Sequence, residues 1–84
     1  MWYLYILRCS DDSLYTGITT DIQRRLKEHR EGEGSKYVRS RLPCRIVYKE
    51  KLDGRSDALK RESDIKSLSK KEKERLVSKN DSEY

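Results

Sequence analysis

The chain predicts an α+β domain in which a small three-stranded sheet, antiparallel or mixed, is flanked by helices. Three observations predict it. Two runs rich in aromatic and branched residues, 2–9 and 14–19, are separated only by Ser10-Asp11-Asp12-Ser13. Asp and Ser side chains bond nearby backbone amides and favour turns, so the pair reads as an antiparallel hairpin. A third strand-like run spans 45–52. Helix-start signals stand at Thr20-Asp21, Ser56-Asp57 and Ser69, which places helices around the sheet.

Each element follows from local chemistry. After the hairpin, Thr20 or Asp21 caps a helix, with Gln23 three residues beyond Thr20 as in a capping box. Ile22 and Leu26 are its buried stripe, and Gly32 and Gly34 end it near Glu31. Residues 35–43 form a basic loop with room for one helical turn. The third strand puts Ile46 and Tyr48 on one face and Val47 and Lys49 on the other. Asp53-Gly54 is a turn, after which Ser56 or Asp57 caps a helix carrying Ala58, Leu59 and Ile65. Ser69 with Glu72 is a second capping box and opens a last helix through Leu76 and Val77. A single domain over 1–78 with a frayed tail at 79–84 is expected.

Composition narrows the class. Eighty-four residues make one domain with a thin core. The chain is 33% hydrophobic and 42% charged, with no Phe, so six Tyr and one Trp must supply the bulky core groups. Net charge is +5 with pI near 9.3, which favours polyanionic partners. From Gly34 through Lys49 there are five basic residues and no acid. Lys36, Tyr37, Arg39, Arg41 and Arg45 therefore form a candidate nucleic-acid surface, cations beside aromatic faces; a solvated surface over core tyrosines is the alternative. Cys9 and Cys44 form no CxxC and have no neighbouring His at metal spacing. Reduced, buried thiols, no signal peptide and no membrane-spanning run together make a cytoplasmic protein the expectation.

Candidate chemistry sits on four elements. Arg25 and His29 are four apart and share a helix face, which by itself also suits ordinary basic residues on a wet side. At about 100° per residue, Glu62 falls about 40° from Ala58 and between it and Leu59, on the face that should meet the sheet. A buried carboxylate needs a cation, so Glu62 is either half of an ion pair with Arg25 or Arg61, or a ligand for a divalent metal. Tyr5 and Tyr15 lie on adjacent predicted strands as cross-strand neighbours. A phenol has a free pKa of about 10, which a nearby guanidinium lowers, so a tyrosine placed there can accept a proton from attacking water.

Together these residues resemble the GIY-YIG nuclease family over nearly the whole chain. Tyr3-Leu4-Tyr5 matches the first motif and Tyr15-Thr16-Gly17 the second. The family's helix arginine falls on Arg25, its histidine on His29 and its metal-binding glutamate on Glu62 in Ala58-Leu59-Lys60-Arg61-Glu62. The likeness is to small stand-alone bacterial members, through LYTGIT, the GSKYVRSR loop and the ALKRE helix. Tyr3 and Leu4 depart from the name-giving motif. Ile18 stands where an excision-repair member has lysine, and Glu74-Arg75 where that member has an asparagine bracing the glutamate.

The resemblance implies a metal-dependent endonuclease on DNA with one Mg²⁺ or Mn²⁺ held by Glu62. Tyr5, Tyr15, Arg25, His29 and Glu62 would form its site, with either tyrosine as base. It further implies backbone-driven binding, with a protein partner as one source of specificity. A non-catalytic nucleic-acid binding module of the same fold is the alternative, and a small interaction protein a third reading.

Overall fold

The computed structural model describes residues 1–79. Its elements are β1 (Trp2–Arg8), β2 (Leu14–Thr19), α1 (Ile22–Arg30), α2 (Lys36–Arg39), β3 (Arg45–Leu52), α3 (Arg55–Lys66) and α4 (Lys70–Lys79). The sheet order is β2-β1-β3 and both pairings are antiparallel. Lys79, expected in the tail, is the last residue of α4, while the rest of that tail, 80–84, lies outside the described residues.

The hairpin is made by its own side chains. Asp11 Oδ1 accepts from the Ser13 amide at 3.1 Å and from Ser13 Oγ at 2.6 Å. Asp12 takes φ 69°, a left-handed conformation that Asp tolerates better than most residues. The turn pairs β1 with β2, and β3 pairs on its other edge, so β1 is the middle strand with both faces covered. Leu4 and Ile6 pack with Val47, Tyr48, Ile65 and Val77 under α3 and α4. Tyr5, Leu7 and Cys9 pack on the opposite face with Val38 and Cys44, bordered by Leu26 of α1. Burial of a Leu or Ile side chain stabilises by about 1.5–3 kcal/mol, so β1 anchors both layers.

β3 departs from the alternation expected of it. Ile6 opposes Tyr48 but Leu7 opposes Ile46, so Val47 is an extra residue in a β-bulge. The bulge turns Val47 and Tyr48 to the same side, in the cluster beneath α3, and leaves Ile46 in the cluster on the α1 side. Lys49 and Tyr5 then stand opposite each other in the ladder.

The helix caps divide. Asp21 caps α1 by accepting from the Arg24 amide at 3.1 Å, and the Ser69–Glu72 box forms reciprocally at 3.1 and 3.2 Å. Neither Ser56 nor Asp57 caps α3: the helix starts one residue earlier, with Gly54 at the cap position and no side-chain hydrogen bond. Two ion pairs tie helices to the sheet. Arg61 grips both oxygens of Glu50, which also accepts from Tyr48, and Arg8 reaches Glu74 of α4 at 2.6 Å.

Candidate active site

Tyr5 stands opposite Gly17 in the β1–β2 ladder, and its phenol lies across that glycine. A Cβ at position 17 would stand 2.5 Å from Tyr5 Oη and 2.7 Å from Cζ, so the ring occupies the space a side chain would fill. Tyr15 opposes Leu7 rather than Tyr5, and the two tyrosines meet on the diagonal with ring centroids 6.5 Å apart. The five-residue loop at 9–13 pairs Arg8 with Leu14 and so sets the register that makes them diagonal cross-strand neighbours.

His29 is the central group. It lies on α1 but is completely buried, not on a wet face, because α1 turns its Arg25–His29 side down onto the sheet. Its Nε2 is 2.9 Å from Tyr5 Oη, and Tyr15 sets an edge against its ring at 5.4 Å. Nδ1 is buried without a hydrogen-bond partner. Gly34, just past the helix end, covers that edge of the ring; a Cβ there would fall 2.6 Å from Nδ1. Arg25 binds the carbonyl of the same Gly34 at 3.0 Å and Glu28 at 3.1 Å. One arginine thus holds the loop that closes over the imidazole.

The electrostatics follow from burial. The Tyr5 phenol is pushed up to about 12 by desolvation, with Arg25 working the other way and the charges of Tyr15 and Glu62 adding to the rise. His29 is held below its ordinary value by burial and then by the Arg25 charge, so its imidazole is neutral. Arg25 itself is raised, chiefly by its interaction with the Tyr5 oxygen.

Glu62 belongs to the opposite layer, on α3. Its field still reaches Tyr5. Its side chain is about one-fifth exposed, and the cation it meets is Lys66, at 3.4 Å. Neither expected partner is its own: Arg61 is committed to Glu50 and Arg25 to Glu28. Glu74, where the excision-repair member has its bracing asparagine, is committed to Arg8. Among the described residues no three His, Cys, Asp or Glu side chains gather to hold a metal. The donor set at Glu62 is therefore one carboxylate. That suits a hard ion such as Mg²⁺, which keeps most of its waters and takes one or two carboxylates plus substrate phosphates.

The basic segment is less uniform than its sequence. Lys36, Arg39 and Arg45 are exposed. Arg41 is half-buried: its Nε meets Asp11 at 3.1 Å, its Nη1 donates to the Tyr37 carbonyl, and its guanidinium lies 3.8 Å over the Tyr37 ring. Tyr37 in turn stacks on Tyr15 at 5.8 Å, so α2 is joined to the Tyr5–His29 cluster through aromatic contacts. A groove of about 500 Å³ beside the start of α1, lined by Tyr3, Asp21, Gln23, Lys49 and Lys51 among others, contains none of the five candidate residues. Of those five, Tyr5 and His29 are buried, and Tyr15, Arg25 and Glu62 are partly exposed. Sequence reasoning missed Gly34, read only as a helix stop, and gave Gly17 no steric role; both act through what they lack.

A three-stranded antiparallel sheet with helices on both faces, carrying the Tyr3-Leu4-Tyr5 and Tyr15-Thr16-Gly17 motifs on its two adjacent strands, is the architecture of a GIY-YIG domain. The family model described as the GIY-YIG catalytic domain matches residues 1–75, and the chain belongs to that family. Among curated relatives, a UPF0213 protein of Natronomonas pharaonis is 53% identical over 75 residues, 89% of this chain and 88% of that one. A UPF0213 protein of Staphylococcus saprophyticus is 47% identical over 76 residues, 90% of this chain and 93% of that one. The solution NMR structure of a UPF0213 protein from Bacillus halodurans is 45% identical, with a TM-score of 0.63, and covers 96% of this chain and 87% of that one. No helix among the described residues is long and apolar enough to cross a membrane.

Proposed function

We propose that this chain is a metal-dependent endonuclease that hydrolyses phosphodiester bonds of nucleic acid, DNA foremost. The observation that carries the reading is the buried 2.9 Å bond between Tyr5 and His29, beside Arg25 and within the field of Glu62. Glu62 would hold one Mg²⁺ or Mn²⁺, which when bound polarises the scissile phosphate and stabilises the leaving oxygen. Tyr5 is the group that orients and deprotonates the attacking water. At about 12 it holds its own proton in the free chain, so ionisation belongs to the loaded site. Arg25 has a third of its side chain exposed and neutralises charge developing on the phosphoryl oxygens. Tyr15 lines the substrate side of the imidazole.

Lys36, Arg39 and Arg45 bind backbone phosphates, while Arg41 positions Tyr37 as the aromatic edge of the same surface. Such binding is weak and salt-dependent, so a branched or damaged substrate shape, or a protein partner, supplies specificity. The reducing cytoplasm is the compartment that suits the free, buried Cys9 and Cys44. One observation favours the second reading, a binding module without catalysis: Glu62 is paired with Lys66.

The deciding experiment is cleavage of single-stranded, duplex, flap and four-way-junction DNA and one RNA, with Mg²⁺ or Mn²⁺, by wild type beside Glu62→Ala. Cutting by wild type alone supports the nuclease, and the preferred shape gives the substrate class. Binding without cutting in both favours the module.

A further inference from the structure

Cys9 and Cys44 take no part in the proposed chemistry, yet the fold brings them together. Both are free and buried, and both belong to the cluster of Tyr5, Leu7 and Val38 on the α1 face of the sheet. A buried cysteine is often no more than a small hydrophobic group. Register and access set this pair apart.

Arg8 and Arg45 form the last rung of the β1–β3 ladder, and one antiparallel step further Cys9 and Cys44 are the next pair. Side chains alternate along a strand, so Tyr5, Leu7 and Cys9 share one face of β1. Cys44, two residues before Ile46, shares that face from the β3 side. Cys9 donates its amide to the Ser13 carbonyl at 2.9 Å, and its carbonyl accepts from the Asp12 amide at 3.0 Å. Its backbone is therefore spent on the turn into β2, and towards β3 it stands at a position without ladder bonds. Facing residues at such positions have Cα atoms about 4.5 Å apart, inside the span of about 4.4–6.8 Å that a disulfide bridges. The segment before Cys44 is pinned as well, since the Ser10 amide and hydroxyl both donate to the Arg41 carbonyl at 2.9 Å.

A surface cavity of about 250 Å³ lies beside the pair, lined by both cysteines with Arg8, Ser10, Pro43 and Arg45. Ser10, Pro43 and Arg45 are exposed, so a solute the size of a peroxide reaches sulfur without unfolding of the chain. Burial raises both thiols, and Cys9 raises Cys44 further, which keeps the resting pair protonated.

We propose that Cys9 and Cys44 are a modification site, a dithiol that a peroxide closes into an intramolecular disulfide. One sulfur attacks the peroxide: the O–O bond breaks, an S–O bond forms, and the thiol's proton leaves with the hydroxide as water. The second sulfur attacks the sulfenic acid so made: the S–S bond forms, the S–O bond breaks, and the second thiol's proton leaves with that hydroxide. Two thiols lose two electrons and the peroxide is reduced to two waters. The bond closes a loop from 9 to 44 that carries Tyr15, Arg25 and His29, and it joins the end of the basic segment to β1 covalently. It requires nothing of the nuclease reading.

The test is treatment of the folded chain with hydrogen peroxide at neutral pH, followed by proteolysis without reductant and mass analysis. The expected result is one linked species, lighter by two hydrogens, joining the peptides that carry Cys9 and Cys44. It should come from chain that still runs as a monomer and should be reversed by dithiothreitol. Cys9→Ser and Cys44→Ser should each abolish it. A bond that fits the native geometry restrains only the unfolded chain, so the oxidised protein should melt higher by about 8 °C or more. Unmodified cysteines, oxygen added to cysteine without a crosslink, or a bond between chains would overturn the inference. So would a crosslink that lowers Tm, because the native pair would then be misaligned. Cleavage of DNA by the wild type, present or absent, bears on none of these readouts.

Discussion

Gly17→Ala puts the packing of the site to its hardest test. The new Cβ would lie 2.5 Å from Tyr5 Oη, 2.7 Å from Cζ and 3.1 Å from Cε1, where ordinary contact begins at 3.4 Å. The shortfall at Oη is 3.4 less 2.5, about 0.9 Å. Tyr5 is only 3% exposed and cannot swing into solvent. Either the ring shifts, straining its 2.9 Å bond to His29, or β2 is pushed from β1 and the ladder weakens. Overpacking of this kind costs about 1–3 kcal/mol, and a weakened hydrogen bond adds about 1. In a domain of this size each kcal/mol lowers Tm by about 4–8 °C, so a fall of roughly 8–32 °C is expected. A misplacement of about 1 Å is also enough to reduce cleavage about a hundredfold. Gly54→Ser is the control: a Cβ there meets nothing within 4 Å, and a serine can supply the cap α3 lacks, so stability should rise by a few tenths of a kcal/mol. Thermal melts and urea titrations of the two variants measure both effects. A Gly17→Ala protein that melts within about 2 °C of wild type would refute the close approach of Tyr5 to β2.

Acidification should weaken the fold through His29. Burial and Arg25 hold its folded pKa below the ordinary value of about 6.5, so between the two values the unfolded chain binds the extra proton. Stability therefore falls as pH drops through about 6.5, by at most about 1.4 kcal/mol per pH unit, and is regained above it. Urea midpoints at pH 7.5 and 5.5 should differ for wild type and much less for His29→Gln; equal dependence in both would assign the effect elsewhere. On the basic segment, Arg39→Ala with Arg45→Ala should lower the slope of log K against log salt by about 2 and leave Tm unchanged. Arg41→Ala should instead lower Tm, because Arg41 joins Asp11 to Tyr37. If Arg41→Ala changed only the salt slope, that arginine would be a phosphate contact and not a brace.

The strands, the hairpin and two of the three long-helix starts were legible because short-range chemistry decides them. Residues 10–13 hold both the turn and the Asp11–Ser13 bonds that make it, and Ser69 and Glu72 need only each other. What depended on the partner strand was not legible. The bulge at Val47 exists because β3 must match β1 at both ends, and no residue within 45–52 announces it. The start of α3 moved to Arg55 because the chain enters the helix directly from Gly54, which bypasses the Ser56 and Asp57 hydroxyl and carboxylate.

The candidate residues could be picked out by type and spacing, but their environments could not. Arg25, His29 and Glu62 look alike to a helix-periodicity argument, three polar residues near apolar stripes. In the fold they differ: His29 is sealed, Arg25 is half-open and shared between Glu28 and Gly34, and Glu62 rests against the exposed Lys66. The difference comes from what faces each one, Gly34 over the His29 ring in particular. A core built for stability alone would put an apolar group at 29, since replacing buried polar pairs with packed hydrocarbon is often neutral or stabilising. This chain instead buries an imidazole with one nitrogen unpaired so that the other can hold a phenol oxygen in place. The cost of that nitrogen falls on folding, and the return is a tyrosine oxygen held in place by a buried ring. Such an arrangement is intelligible as equipment for handling a proton at Tyr5 and wasteful as packing, and this asymmetry is the physical ground for reading the cluster as a site.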